Sequence, residues 1–317
     1  GGSTALRLRQ KQPEAVDEAL AVVADPAAQL AERIQFVEIL GEIRVQRSVD
    51  VLVSLLHESR ETKLLEAVLD ALYSFSSVSI GQALISRLGG LPEELQPAAA
   101  GLLAARADWS LAALEAAQNG ELASDLLTDD ALRKMSLHSE PKISELIGSL
   151  RGDLAGAGTE EMKQEAMRLE GILAAGSGNP RAGKRQYMKN CGRCHRLFDE
   201  GGQVGPDLTS FKRDDVQRLL QNIVNPDLEI REGYENYLIV ADDGRLATGF
   251  LASQDDQLVV LRTTEGMSLS FSRVEIDDML RLSESVMPKG ALKDLTDQQI
   301  RDLFAYLRAS QPVNYEI

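Results

Sequence analysis

Cysteine is nearly missing from this 317-residue chain: there are two, and only three histidines and one tryptophan accompany them. Two thiols cannot build a disulfide framework of the kind that staples small secreted domains. They also cannot supply the four ligands of a structural zinc site, since His57 and His138 lie far away in sequence. Long apolar runs are missing too, and no stretch approaches the roughly 18 residues needed to cross a bilayer. The opening GGSTALRLRQ has no apolar signal-peptide core. Gly1 to Ser3 read as a foreign scar, so a mature protein or an excised fragment is expected. Positive charge is in deficit: 34 basic residues against 49 acidic ones give a formal charge of −15. Such a surface repels phosphate backbones and disfavours nucleic acid as a partner. It suits a basic or dipolar protein partner, and equally serves solubility alone. Finally, no nucleophile–base constellation is visible, so the chain itself is expected not to be an enzyme.

What is present begins with helical periodicity. Ile34, Val37, Ile39 and Leu40, then Val51, Leu52, Leu55 and Leu56, recur at three and four, the stripe of an amphipathic helix. RIQFVEILGEI followed by VDVLVSLL is echoed by LLEAVLDALYSF with GQALISRL and by QPAAAGLLAAR with WSLAALEAA. A fainter echo is LTDDALRKMSL with PKISELIGSL. A helix–turn–helix unit recurring near every thirty residues predicts stacking into a HEAT-like α-solenoid, with an irregular bundle as the alternative. At Ala174 to Pro180 the periodicity stops in a Gly/Ser/Asn/Pro segment, which reads as a linker. The domain division expected is therefore 1–178 and 179–317. Within the second part, helices are expected at Arg181 to Lys189 and Arg213 to Val224. About five short strands joined by hairpins should fill roughly 229–283, as a small curled sheet or barrel. A last helix should be N-capped by Thr296, with Gln299 completing a capping box.

The chemistry-bearing segment is Cys191-Gly192-Arg193-Cys194-His195. C-x-x-C-H is the attachment sequence of c-type haem. Two intervening residues let both sulfurs reach the vinyl groups on one porphyrin edge, and the adjacent imidazole is carried under the ring to bind iron. A thioredoxin-like C-x-x-C expects a preceding strand, whereas a helix precedes this one. A plain disulfide is the remaining competitor. His57 and His138 are expected to be surface imidazoles. Met287, in SESVMPKGAL, is the expected second axial ligand: Pro288 stiffens its loop and Gly290 relaxes it before the last helix. A thioether is a weak ligand, so a rigid loop must hold it against the iron. Met188 belongs to the helix leading into the motif, Met267 lies beside a hairpin turn, and Met279 lies in the last strand region. Met287 follows His195 by 92 residues, long for a small cytochrome, so the β region reads as an insertion into a cytochrome c chain. Its role, covering a haem edge or docking a partner, stays open.

The blocks GKRQYMKNCGRCH, GGQVGPDL, NPDLEI, MPKGALKDLT and IRDLFAYL resemble the planctomycete-type haem-binding domain, a cytochrome c variant, over about Pro180 to Ala309. In that family the domain often follows helical repeats, and larger members carry a propeller resembling membrane-bound dehydrogenases. The resemblance implies a mainly α fold. It also implies that Gly183 and Tyr187 lie where the first helix crosses the last, near Leu303, Tyr306 and Leu307. Pro206 would offer its carbonyl to the other imidazole nitrogen of His195, and Leu208 would pack on the haem face. The function expected is electron transfer through one covalent haem c with His195 and Met287 as iron ligands. A redox protein or a dehydrogenase domain would be its partner, in a periplasmic or extracytoplasmic setting, membrane-associated in a longer parent. Two alternatives stand beside it: a peroxidase-like or gas-sensing haem with an open distal site, and a repeat scaffold using haem as a structural plug.

Overall fold

The computed structural model describes residues 4–151 and 159–313; the expected scar at Gly1 to Ser3 lies outside them. The chain divides into two compact units, one comprising Gly1–Leu154 with Ala241–Leu246, the other Ala155–Val240 with Ala247–Ile317.

The first unit is helical: α1 (Thr4–Arg9), α2 (Pro13–Ala24), α3 (Leu30–Glu42), α4 (Val49–Glu58), α5 (Thr62–Leu72), α6 (Val78–Arg87), α7 (Gln96–Leu103), α8 (Ala107–Gln118), α9 (Asp129–Met135) and α10 (Pro141–Arg151). Each helix from α3 to α8 packs against the one two places later, α3 on α5, α4 on α6, and so to α8 on α10. An amphipathic hairpin that buries one stripe internally still needs a neighbour for the other. In α5, Leu64, Leu65, Val68, Leu69 and Leu72 are all essentially inaccessible. Each such burial is worth about 2 kcal/mol. Charged groups that enter this core are paired. Arg33 donates from Nε and Nη2 to the Val23 carbonyl at 3.1 and 3.0 Å. Arg106 donates to the carbonyls of Phe75 and Asp243 at 3.0 and 2.9 Å and pairs with the Asp243 carboxylate at 3.1 Å. The Leu246 N–H donates to the Ala105 carbonyl at 2.9 Å, and the Tyr73 hydroxyl to the Leu246 carbonyl at 3.2 Å. These bonds are why six residues from the β region group with the helical unit.

His138 departs from expectation. It is 8% exposed, with Nε2 2.9 Å from the Ala104 carbonyl, so it is a core group and not a surface imidazole. His57 is exposed. Burial, first, pushes the His138 imidazole below its ordinary value of 6.5, opposed by the bond to Ala104 and the charge of Asp108. Just below pH 6.5 the unfolded chain then binds the proton more readily than the folded one. Stability present above that pH is therefore lost as pH falls through the lowered folded value. His138→Gln, which keeps a donor but does not titrate, should lose less stability between pH 7.5 and 5 than the native chain. Denaturant midpoints at the two pH values check this; equal losses would show that His138 does not titrate abnormally.

The second unit contains α11 (Thr159–Ala174), α12 (Pro180–Asn190), β1 (Arg196–Leu197), β2 (Glu200–Gly201), α13 (Val216–Val224), β3 (Asn236–Ala241), β4 (Leu246–Gln254), β5 (Leu258–Arg262), β6 (Ser268–Ser272), β7 (Ile276–Arg281) and α14 (Asp297–Leu307). A division at 178/179 is not where the compact units part. Leu169 and Ile172 of α11 join the core formed by Tyr187, Leu220, Ile300, Leu303, Phe304 and Tyr306, so α11 groups with the second unit. The expected capping box is present: Thr296 Oγ1 accepts from the Gln299 N–H and the Gln299 side chain accepts from the Thr296 N–H. The five strands form one sheet in the order β6-β5-β4-β3-β7. It is an antiparallel meander at β4-β5-β6, with a bulge at Ala252, and β7 returns to the far edge beside β3.

Candidate functional site

Asn179 caps α12, its side chain accepting from the Arg181 and Ala182 N–H groups at 2.9 and 3.4 Å, and Pro180 follows at the first helical position. Both are strong helix-start choices, since proline lacks the N–H that would otherwise be orphaned. The helix crosses α14 at close quarters. A Cβ on Gly183 would fall on the Asp302 carbonyl oxygen, so only glycine allows this separation. The Tyr187 ring, wholly buried, packs 5.3 Å from that of Tyr306.

This crossing delivers the C-x-x-C-H segment to a fixed place. The Cys191 and Gly192 N–H groups both donate to the Tyr187 carbonyl, at 2.8 and 2.7 Å. The Cys194 and His195 N–H groups turn back onto the Cys191 carbonyl at 3.1 and 2.9 Å. The Tyr187 hydroxyl donates to the His195 carbonyl at 2.7 Å. The motif is thereby tied at both ends to one residue, Tyr187, through its carbonyl at the start and its hydroxyl at the end. The segment after it is a two-stranded hairpin, β1 and β2, which the sequence did not reveal. Its turn residues Phe198 and Asp199 have φ of 53° and 66°, a conformation normally left to Gly, Asn or Asp. Phe198 tolerates it because its N–H donates to Thr209 Oγ1 at 2.9 Å and its ring lies 4.8 Å beneath the Arg213 guanidinium. Arg213 also donates to the Leu307 and Ala309 carbonyls at 2.7 and 2.8 Å, closing the end of α14.

The Gly-rich strip then folds over the motif. The Gly202 and Gly205 N–H groups donate to the Gly192 and Cys194 carbonyls, both at 2.7 Å. At Gly205 a Cβ would lie 2.7 Å from Cε1 and 2.9 Å from Nδ1 of His195, so the imidazole lies directly on this glycine. His195 Nδ1 is 2.9 Å from the Pro206 carbonyl. A carbonyl only accepts, so Nδ1 carries the proton and the Nε2 lone pair is left for a Lewis acid. Burial holds the imidazole below its ordinary value, only partly offset by the Pro206 bond, which favours the neutral, metal-ligating form. Leu208 is half-buried against the same core, and its N–H donates to the Arg196 carbonyl at 2.8 Å.

The two cysteines are not joined in a disulfide, and both are half-buried. Burial, then the neighbouring Cys194, pushes the Cys191 thiol up to about 12. That is the opposite of the low-pKa thiolate a disulfide oxidoreductase requires. Among the described residues no group of three His, Cys, Asp or Glu side chains is placed to hold a bare metal ion. The donor set fits a c-type haem instead. It offers two thiols one turn apart, a neutral imidazole oriented through Nδ1, and the partly exposed apolar side chains of Leu208, Val216, Leu219 and Ile223, which pack on the same buried core as Cys191.

Met287 is half-buried in the loop between β7 and α14, with its N–H donating to Ser285 Oγ at 3.1 Å. The structure brings Cys191, Cys194, His195 and Pro206 together through direct bonds. It holds Met287 on a separate loop, five residues before the core residue Leu292. Of the other methionines weighed, Met267 is a core residue of the sheet at 8% exposure, and Met188 is on the outside of α12 at 36%.

No curated protein matches the chain. Residues 180–239 match the family model for cytochrome c, a span that opens with α12, holds the whole motif and stops inside β3. The matched span and its geometry support a cytochrome c-type haem-binding domain, with haem-based electron transfer as the activity of that class.

Proposed function

We propose that the chain is a one-electron carrier: a planctomycete-type cytochrome c module with one covalent haem, borne on a HEAT-like repeat scaffold. Cys191 and Cys194 hold the porphyrin edge, and His195 and Met287 bind the iron. The bound haem would supply the Fe(II)/Fe(III) couple. The observation that carries this reading is the 2.9 Å bond from His195 Nδ1 to the Pro206 carbonyl. It fixes the tautomer, aims Nε2 and makes the imidazole a better donor to iron. Leu208 and the half-buried side chains of α13 exclude water from the haem face. The low dielectric favours the less charged ferrous state and so, with a thioether ligand, raises the potential. The repeats provide docking surface, the acidic balance selects a basic or dipolar redox partner, and the electron source is a dehydrogenase domain or protein. The chain is not itself a catalyst. Since haem attachment takes place outside the bacterial cytoplasm, the module works in the periplasm or another extracytoplasmic space.

Protein made in cells equipped for cytochrome maturation should be coloured, give a pyridine haemochrome of the c type and carry one added haem by intact mass. The ferric form should show the weak near-infrared thioether-to-iron band. Native ferrous protein should resist CO, while Met287→Ala should bind it on the order of a hundred-fold faster, because a bound thioether keeps the open state to about one per cent. Ready CO binding by the native protein, unchanged in the variant, would instead favour the open-site enzyme or sensor. Failure to reduce reversibly in a redox titration would favour the structural plug.

A further inference from the structure

We infer that Asp227 is a positioning residue for the iron-binding loop, clasping both flanks of Met287 with one carboxylate; this rests on the reading of Met287 as a ligand. Asp227 Oδ1 accepts the Ser285 N–H at 2.7 Å, and Oδ2 pairs with Lys289 Nζ at 2.7 Å. Ser285 Oγ in turn accepts the Met287 N–H at 3.1 Å. The methionine is thus bracketed, two residues before and two after, by groups bound to the same side chain. Asp227 and Lys289 are 23% and 25% exposed, so the pair is sheltered and charge-assisted rather than a loose surface contact.

The clasp lies at an informative place. Asp227 precedes the β region, in the turn after α13 where the Leu228 N–H donates to the Asn225 carbonyl at 3.1 Å. Ser285 follows the β region, 58 residues later. The Leu282 N–H donates to the Asn236 carbonyl at 2.8 Å, so strand pairing draws the two ends of the insertion together. Strand pairing brings the chain ends near one another, but it does not fix the loop beyond Leu282. A thioether is a weak ligand, and each freely rotating residue on either side of it lowers the fraction of time it is presented to iron. The carboxylate removes that freedom at residues 285 and 289 at once. It lets an inserted sheet interrupt the chain without loosening the second ligand.

The test uses the full-length haem-loaded protein and compares the native chain with Asp227→Asn and Asp227→Ala. Asn keeps an acceptor for the Ser285 N–H and loses the negative charge that pairs with Lys289; Ala loses both. The Ala variant should weaken the near-infrared band, lower the pH at which it disappears, and speed CO binding to the ferrous form about ten- to a hundred-fold, the scale of a lost charge-assisted bond. Amide exchange over residues 284–290 should quicken with it. The Asn variant should fall between native and Ala, which a merely misfolded protein would not do. A band and CO rate in the Ala variant equal to native would overturn the inference while leaving Met287 as ligand. A native protein without the band, taking CO as fast as Met287→Ala, would remove the ligand reading itself and the clasp's purpose with it.

Discussion

Replacing both Cys191 and Cys194 by alanine should yield a chain that emerges without covalent haem from cells in which the native chain is coloured. Intact mass should match the bare polypeptide, and the pyridine haemochrome should fall to background. The expectation is this complete because the sequence holds only these two cysteines, so no other thiol can form a thioether. The thiols are of little use otherwise. Cys191 is pushed to about 12 by burial, which leaves it almost wholly protonated at neutral pH and a poor redox nucleophile. The double variant should still fold, since the turn around the motif is held by backbone bonds and by the Tyr187 hydroxyl rather than by sulfur. Circular dichroism of native helical content beside an absent haem is therefore the combined result to look for. A coloured double variant with unaltered added mass would refute thioether attachment.

The second large effect belongs to Gly183. Changing it to alanine places a methyl on the Asp302 carbonyl oxygen, and neither α12 nor α14 can yield without disturbing the Tyr187–Tyr306 contact. Overpacking of this kind against backbone costs about 3 kcal/mol. For a unit of this size that corresponds to a fall of roughly 10 °C in Tm. Because α12 runs directly into Cys191, haem incorporation should fall with stability. Arg185→Ala, on the exposed side of the same helix, should change stability by less than about 0.5 kcal/mol. Thermal melts of the two variants check the contrast. A Gly183→Ala chain melting within about 2 °C of native would show that the crossing has slack.

The residues near His195 illustrate how far local patterns reach. The C-x-x-C-H spacing, the Asn-Pro start of α12 and the Thr296–Gln299 capping box are short-range chemistry, with every partner within a few residues. Amphipathic spacing in the first unit is equally local, and so is the alternation that announced five strands. The place of the Pro206 carbonyl against His195 was expected only through resemblance, because nothing in the spacing of eleven residues dictates that bond. The β1–β2 hairpin left no trace, since Phe198 is held in a left-handed conformation by Thr209, Tyr306 and Arg213 rather than by a glycine turn.

By itself, then, the sequence determined the C-x-x-C-H spacing, the amphipathic helices of the first unit, the strands of the second half and the acidic balance. Periodicity and fixed spacing act between neighbours in the chain. The tertiary structure alone decided that α11 packs with α13 and α14, that His138 is enclosed by the Ala104 carbonyl, and that Asp227 reaches Ser285 across 58 residues. Each of those depends on which surfaces meet after collapse. Burial and long-range hydrogen bonds of that sort have no period and no spacing to betray them.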